Sequence, residues 1–202
     1  IWGRFSARSA PQLRVLHEES ALQVNAMAPR VILIGPMGSG KTTIGQLVAE
    51  KLHIPFRDTD QVIEETTGKT VSDIFLEDGE DEFRTIEKKV LRDELLTDNT
   101  VLALGGGAPI SVDAQSALRA IASPVIYFDI SLAAVAPRIG FNRDRPLLLH
   151  NPRGQWQTLM EARRPIYESI ADSIIDVNEK SGYGKSIDKC KLNGVRPSLS
   201  AN

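Results

Sequence analysis

The sequence predicts an α/β fold: a five-stranded, doubly wound parallel sheet flanked by helices. Short apolar runs of strand type alternate with longer segments whose apolar residues recur at helical spacing. The first apolar run, residues 31–34, leads directly into a glycine-rich loop that is followed by a helical pattern. Repeated strand–helix alternation is typical of parallel sheets, because the helices cover both faces of the sheet. With 202 residues, 42% hydrophobic and 25% charged, the chain has the size and composition of one globular domain.

Each strand and helix can be placed by its pattern. The strands are predicted at residues 31–35, 55–60, 101–104, 124–130 and 173–177. The helices are predicted at residues 41–52, 61–78 (two short helices broken at residue 68), 80–96, 111–122, 132–139 and 156–170. The helix over 80–96 has one apolar face, formed by Phe83, Ile86, Val90, Leu91 and Leu95.

Both ends of the chain differ from the middle. Residues 1–26 are expected to be a disordered leader. Their arginine, serine and alanine content leaves an organelle transit peptide as the alternative, although two glutamates argue against it. Residues 181–202 are polar and without period, and are expected to be a tail. A folded domain is therefore predicted over residues 27–180.

Composition excludes several classes of function. The net charge of −2 offers no broad basic surface for nucleic acid. No apolar run approaches the ~20 residues of a membrane span. The single cysteine, Cys190, excludes an internal disulfide and a four-cysteine zinc site, and suits a reducing compartment. We therefore expect a cytoplasmic protein, or a plastid protein if the leader is a transit peptide, and we also expect it to be a monomer.

Residues 35–42, GPMGSGKT, match the phosphate-binding pattern G-x-x-x-x-G-K-[ST] in full. Backbone N–H groups of such a loop surround a polyphosphate, and the following helix adds its N-terminal partial charge. Lys41 can reach the β- and γ-phosphates, and the Thr42 hydroxyl can bind Mg²⁺. The alternative is a glycine-rich turn without a ligand. The predicted nucleotide-binding residues of this P-loop are Gly38, Ser39, Gly40, Lys41, Thr42 and Thr43.

Five further motifs follow the loop: DTD at 58–60, EFR at 82–84, GGG at 105–107, RPLL at 145–148 and RRPIY at 163–167. With the P-loop, these motifs make residues 30–178 resemble the shikimate kinase family. The resemblance implies a small P-loop kinase of the nucleoside monophosphate kinase type, with a substrate-binding region over about 59–97. It implies transfer of the γ-phosphate of ATP to the 3-hydroxyl of shikimate, in aromatic amino-acid biosynthesis.

The resemblance also implies an acceptor site. Asp60 would contact shikimate and take the hydroxyl proton, as expected of a carboxylate at the end of strand two, although it could instead cap a helix. Arg84 and Arg163 would hold the shikimate carboxylate, for which a guanidinium is well shaped. Without the resemblance, a solvated surface arginine is the favoured interpretation of Arg84. The glycine turn, Gly105, Gly106 and Gly107, would let backbone approach the substrate ring, or be merely a strained turn.

On the nucleotide side, residues 140–153 are expected to form a lid. The resemblance implies that Arg145 reaches the phosphates on lid closure and that Arg138 lies near the adenine. It also implies that Asp58 holds Mg²⁺ through water, beside Thr42 as direct ligand. Lys41, Asp60 and Arg145 are thus the predicted catalytic residues.

Two rival functions stay open at this point. Another small-molecule or nucleotide kinase would share the fold, although adenylate-type kinases lack the combined DTD and GGG motifs. A GTPase is disfavoured because the sequence has no N-K-x-D motif. A catalytically inactive nucleotide-binding module remains the other alternative, since residues after 177 lack the amphipathic helix usual in the family.

Overall fold

The computed structural model describes residues 27–139 and 152–178. Five parallel strands form one sheet in the order β2-β3-β1-β4-β5, with helices on its faces, which confirms the predicted fold class. The strands are β1 (Val31–Ile34), β2 (Phe56–Asp58), β3 (Val101–Ala103), β4 (Val125–Asp129) and β5 (Ser173–Asp176).

The helices follow the strands in alternation. They are α1 (Lys41–Leu52), α2 (Thr59–Thr67), α3 (Val71–Asp73) with a π-helical turn (Ile74–Asp78), α4 (Glu80–Glu94), a 3-10 turn (Ala108–Ile110), α5 (Val112–Ala120), α6 (Leu132–Ile139) and α7 (Pro152–Ile170). Within the described ranges, no helix combines the length and the apolar character that crossing a membrane requires.

Strand β1 lies at the centre of the sheet and is fully buried. Ile32 pairs with Leu102 of β3 on one side and with Val125 of β4 on the other. A strand covered on both faces needs an unbroken apolar run, which is what residues 31–34 supply. The loop after β1 therefore emerges at the carboxyl edge of the sheet, where ligands of doubly wound folds bind.

Helix α4 joins two hydrophobic cores. Phe83 and Val90 pack with Ile63 and Ile74 in a small cluster under the predicted substrate-binding region. Leu91, on the same helix, belongs to the main core of the sheet. The predicted apolar face of this helix is thus shared between the cores, and it fixes the small region against the sheet.

Most element boundaries differ from the predictions by one or two residues, and two of the differences bear on the site. Strand β2 ends at Asp58, and helix α2 begins at Thr59, because the Asp58 carboxylate accepts a hydrogen bond from the Asp60 N–H (3.1 Å) and caps the helix. The expectation that Asp60 ends the strand is wrong. Helix α7 begins at Pro152, four residues before the predicted start, since proline is favoured at the first helical position. The predicted lid over 140–153 therefore overlaps this helix at its last two residues, and the rest of it lies outside the described residues.

Candidate active site

The glycine-rich loop connects β1 to α1 through glycines that have positive φ angles. Gly40 has φ +90° and precedes α1 without any side-chain cap on the helix. Gly35 has φ +143°, and a methyl group there would lie 2.8 Å from the Phe128 carbonyl oxygen. Because the residue before α1 is a glycine, which has no side chain that could cap the helix, this helix end has the geometry that binds anions.

Lys41 folds back onto its own loop. Its ammonium donates hydrogen bonds to the Gly35 carbonyl (2.9 Å) and the Pro36 carbonyl (3.0 Å). These carbonyl oxygens are neutral, so a charged phosphate oxygen would bind the Lys41 ammonium more strongly. Of the other predicted loop residues, Ser39 is buried and Thr43 is exposed in the first turn of α1.

Thr42 and Asp58 meet across the sheet edge. The Thr42 hydroxyl donates to Asp58 Oδ2 (2.9 Å), while Asp58 Oδ1 holds the Asp60 amide. A hydroxyl and a carboxylate are hard oxygen donors of the type that Mg²⁺ prefers. The described residues contain no cluster of three or more histidine, cysteine or carboxylate side chains suited to a metal. The donor set therefore fits an ion that is held mainly by phosphate and water, as Mg²⁺ is in kinases.

The glycine turn after β3 lies between Asp60 and Arg84. Its first amide, on Gly105, donates to the buried Thr59 hydroxyl (2.8 Å). A methyl group on Gly105 would overlap the Asp60 carboxylate, and one on Gly107 would overlap the Arg84 guanidinium. The turn thus brings together two predicted site residues from different helices, and the missing side chains leave room for both.

Arg84 is not a solvated surface arginine. Its side chain is 28% exposed, and it pairs with Glu87 at 2.7 Å and Glu80 at 3.1 Å. The guanidinium also lies 5.2 Å from the ring centre of Phe83 and 5.9 Å from that of Phe75. Two carboxylates and two rings fix its orientation toward the glycine turn.

Glu87 is a site residue that is missing from the sequence prediction. Its carboxylate is almost fully buried beside Arg84. Burial raises the pKa of Glu87, and the nearby charges of Arg84 and Arg163 only partly offset this effect. Its signal in the sequence is weak: a carboxylate three residues after Arg84, on a helix rich in other charges.

Helix α7 contributes Arg163 and Tyr167 to the same place. Arg163 donates to the Gly106 carbonyl at 3.3 Å, and the Tyr167 hydroxyl donates to the same oxygen at 2.6 Å. Burial raises the pKa of Tyr167 to about 12, so its hydroxyl remains a donor at neutral pH. Tyr167 is part of the RRPIY motif, but the sequence alone assigns no role to it. The neighbouring Arg164 turns away and pairs with Asp129.

Gly106 is the point where the loop and the acceptor residues meet. A methyl group on it would lie 3.6 Å from the Gly35 carbonyl and the Met37 amide, and 3.7 Å from Arg163. Arg138 lies elsewhere, because it donates to the Val177 carbonyl (2.8 Å) beyond the end of β5. Arg145 lies outside the described residues.

The remaining predicted residues that the structure describes therefore lie close to one another at the carboxyl edge of the sheet. A glycine-rich anion site forms one wall, a carboxylate lies on the glycine turn, and two arginines flank that turn. Such an arrangement can place a polyphosphate next to a small anionic molecule that carries a hydroxyl group.

Comparison with known proteins gives a consistent result. A family model described as shikimate kinase matches residues 37–190 of this chain. The shikimate kinase of Streptomyces coelicolor is 45% identical over 148 residues, which are 73% of this chain and 85% of that protein. The shikimate kinase of Thermobifida fusca is 43% identical over 151 residues, 75% of this chain and 87% of that protein.

Solved structures show the same similarity. The Acinetobacter baumannii shikimate kinase, solved in complex with shikimate, matches with a TM-score of 0.77 and 32% identity, covering 85% of this chain and 96% of that one. The Aquifex aeolicus shikimate kinase matches with a TM-score of 0.69 and 31% identity, covering 81% of this chain and 94% of that one. The motifs, the strand order and these similarities have one explanation, which is that the chain belongs to the shikimate kinase family.

Proposed function

We propose that this protein transfers the γ-phosphate of ATP to the 3-hydroxyl of shikimate, giving shikimate 3-phosphate and ADP. The observation that carries the proposal is the meeting of the P-loop, Asp60, Arg84 and Arg163 around one glycine turn. The relative from Acinetobacter baumannii, solved with shikimate bound, supports the choice of acceptor.

On the acceptor side, the two arginines supply charge for a carboxylate. Arg84 is held by Glu87, and Arg163 approaches from a different helix, so together they define where an anionic group sits. Asp60, against Gly105, then accepts the proton that the attacking hydroxyl loses. The new bond joins the hydroxyl oxygen to the γ-phosphorus, while the bond from that phosphorus to the bridging oxygen breaks and ADP leaves.

On the nucleotide side, the N-terminus of α1 and the Lys41 ammonium bind the phosphates. Lys41 exchanges its two carbonyl partners for phosphate oxygens, since an ionised acceptor is the stronger one. Arg145 is proposed to add positive charge at the transferring group, and Arg138 to lie beside the adenine. The sequence over 140–153 is proposed to close over the site as a lid.

Thr42 and Asp58 are the residues proposed to hold Mg²⁺, the threonine directly and the aspartate through water. When bound, the ion neutralises charge on the phosphates. The chain's own part is to keep both oxygen donors at the sheet edge: the cap on α2 fixes Asp58, and the hydrogen bond from Thr42 joins the two side chains. We further propose that the protein acts as a cytoplasmic monomer, with plastid location the alternative, and without a nucleic-acid partner.

A coupled assay of ADP release tests this function. Shikimate should raise ATP turnover, while gluconate, nucleoside monophosphates and an acceptor-free control should not. A faster rate with another acceptor would assign a different kinase activity. ATP binding without turnover under any condition would indicate an inactive module.

A further inference from the structure

Two neighbouring arginines on α7 have separate partners. Arg163 donates to the Gly106 carbonyl at 3.3 Å. Arg164 instead makes a two-point ion pair with Asp129, with one nitrogen 2.9 Å from Oδ2 and the other 2.7 Å from Oδ1. A second carboxylate, Glu168, is 3.7 Å from Arg164 and exposed, so it adds little.

Asp129 connects back to the acceptor site by a second route. Its Oδ1 also accepts a hydrogen bond from the Tyr127 hydroxyl at 2.9 Å. The Tyr127 ring lies 5.3 Å from the ring of Tyr167, whose hydroxyl binds the Gly106 carbonyl. The end of β4 is therefore joined to α7 by an ion pair and by a ring contact, and both contacts are within one helical turn of Arg163.

We propose that Arg164 is a positioning residue for acceptor recognition: its ion pair with Asp129 fixes the rotation of α7 and so assigns Arg163 to the acceptor carboxylate. Successive residues on a helix point about 100° apart, so one arginine can face the glycine turn only if the other faces elsewhere. The pair with Asp129 decides which one does. This inference rests on the proposed function.

The backbone at this point needs such an anchor. Pro165 follows Arg164 inside α7 and has no N–H group, so the helix lacks one of its backbone hydrogen bonds there. The ion pair between Arg164 and Asp129 therefore stabilises a part of α7 that has fewer backbone hydrogen bonds.

The charges around the two arginines also support this assignment. Among the described residues, Arg163 makes no ion pair within 4.0 Å, whereas the charge of Arg164 is matched by Asp129. A carboxylate that binds beside the glycine turn therefore meets Arg163 as the more available cation of the two. Arg164 contributes geometry rather than a contact with the acceptor.

The test compares Arg164→Met with the wild-type full chain, using shikimate and its neutral primary amide as acceptors. Wild type should prefer shikimate because Arg163 meets a carboxylate. A charged hydrogen bond is worth ~1.5–3 kcal/mol, so the preference in kcat/KM should fall by about tenfold or more in the variant. The KM for ATP should change by no more than about twofold, because the P-loop is intact. Arg164→Lys, which keeps a single ion pair, should restore part of the preference.

Arg119→Met is the matched control. Arg119 donates to Ser169 (3.0 Å) and so anchors the same helix from its exposed end. Removing it should leave the preference for the carboxylate unchanged. Thermal unfolding of all variants would show which of them fold. If Arg164→Met does not fold, Asp129→Asn serves as the second variant, because it removes the ion pair and keeps the side-chain shape.

Wild-type turnover with shikimate tests the proposed function, and the ratio of the two acceptors tests Arg164. If wild type turns over shikimate and the folded variant lacking the ion pair keeps the full preference, the positioning role is wrong. An equal loss in Arg119→Met would also overturn it, since any loosening of α7 would then have the same effect.

Discussion

At the residue scale, the environment of Arg84 predicts which kinetic parameter this arginine controls. Arg84 is held in place before any ligand arrives, so it should bind the acceptor equally in the ground and transition states. Arg84→Ala should raise the KM for shikimate about tenfold to a hundredfold, the value of one charged hydrogen bond, with a smaller effect on ATP. Arg145→Ala should instead lower kcat more than it changes that KM. Steady-state kinetics of both variants checks this, and an unchanged shikimate KM in Arg84→Ala would contradict it.

Lys41 should matter for catalysis and not for folding. Its ammonium contacts two loop carbonyls at the surface of the site rather than the core. Lys41→Ala should therefore lower phosphoryl transfer by about a hundredfold or more, the scale for removing a preorganised charge. The unfolding temperature should stay near that of wild type. A near-native rate in the ADP-release assay would show that the glycine-rich loop is only a turn.

At the element scale, the glycine turn after β3 separates two functions by position. Gly105→Ala should push the Asp60 carboxylate away and lower kcat, while Gly107→Ala should displace the Arg84 guanidinium and raise the KM for shikimate. Backbone strain is not the cause, since Gly107 has φ −92°, which alanine adopts readily. Each variant is the control for the other in steady-state kinetics. The same kinetic change in both would mean that the turn acts as one unit.

Elements whose pattern is local can be predicted from this sequence, and contacts between elements cannot. Strand β1 is buried on both faces, so its sequence is an unbroken apolar run. Helix α4 is buried on one side, so its apolar residues recur at helical spacing. Each pattern therefore predicts its element. The start of α2 was misplaced by two residues, because Asp58 and Asp60 are both good helix caps and only the folded chain shows which one acts.

The candidate site shows the same division. Motif spacing indicated the loop, and the resemblance to the family indicated the two arginines, although their roles remain predictions. The hydroxyl of Tyr167 escaped prediction because its partner, the Gly106 carbonyl, lies far along the chain. Glu87 escaped prediction because the sequence does not show that it is buried, and a carboxylate three residues after Arg84 is not distinctive on a helix rich in charges. The spacing of residues along the sequence does not show contacts between separate elements.

At the scale of the whole molecule, Glu87 affects both acceptor binding and the pH dependence of stability. The carboxylate is buried on α4 and faces Arg84, Arg163 and Glu80. Because burial raises its pKa above the ordinary 4.5, the folded state holds the proton more tightly than the unfolded state does. The resulting stabilisation is fully present below pH 4.5 and is lost as the pH rises through the raised pKa.

Glu87→Gln removes this titration and keeps the shape of the side chain. The free energy of unfolding of the variant, minus that of wild type, should therefore increase as the pH rises from 4.5 through the raised pKa. The variant should also bind shikimate more weakly at neutral pH, because Arg84 loses its shortest ion pair. Urea unfolding across that pH range, together with the shikimate KM, measures both effects. A difference that falls with pH would show that pairing with Arg84 outweighs burial and that the pKa of Glu87 is lowered. An unchanged KM would show that Glu80 and the two phenylalanine rings suffice to hold Arg84.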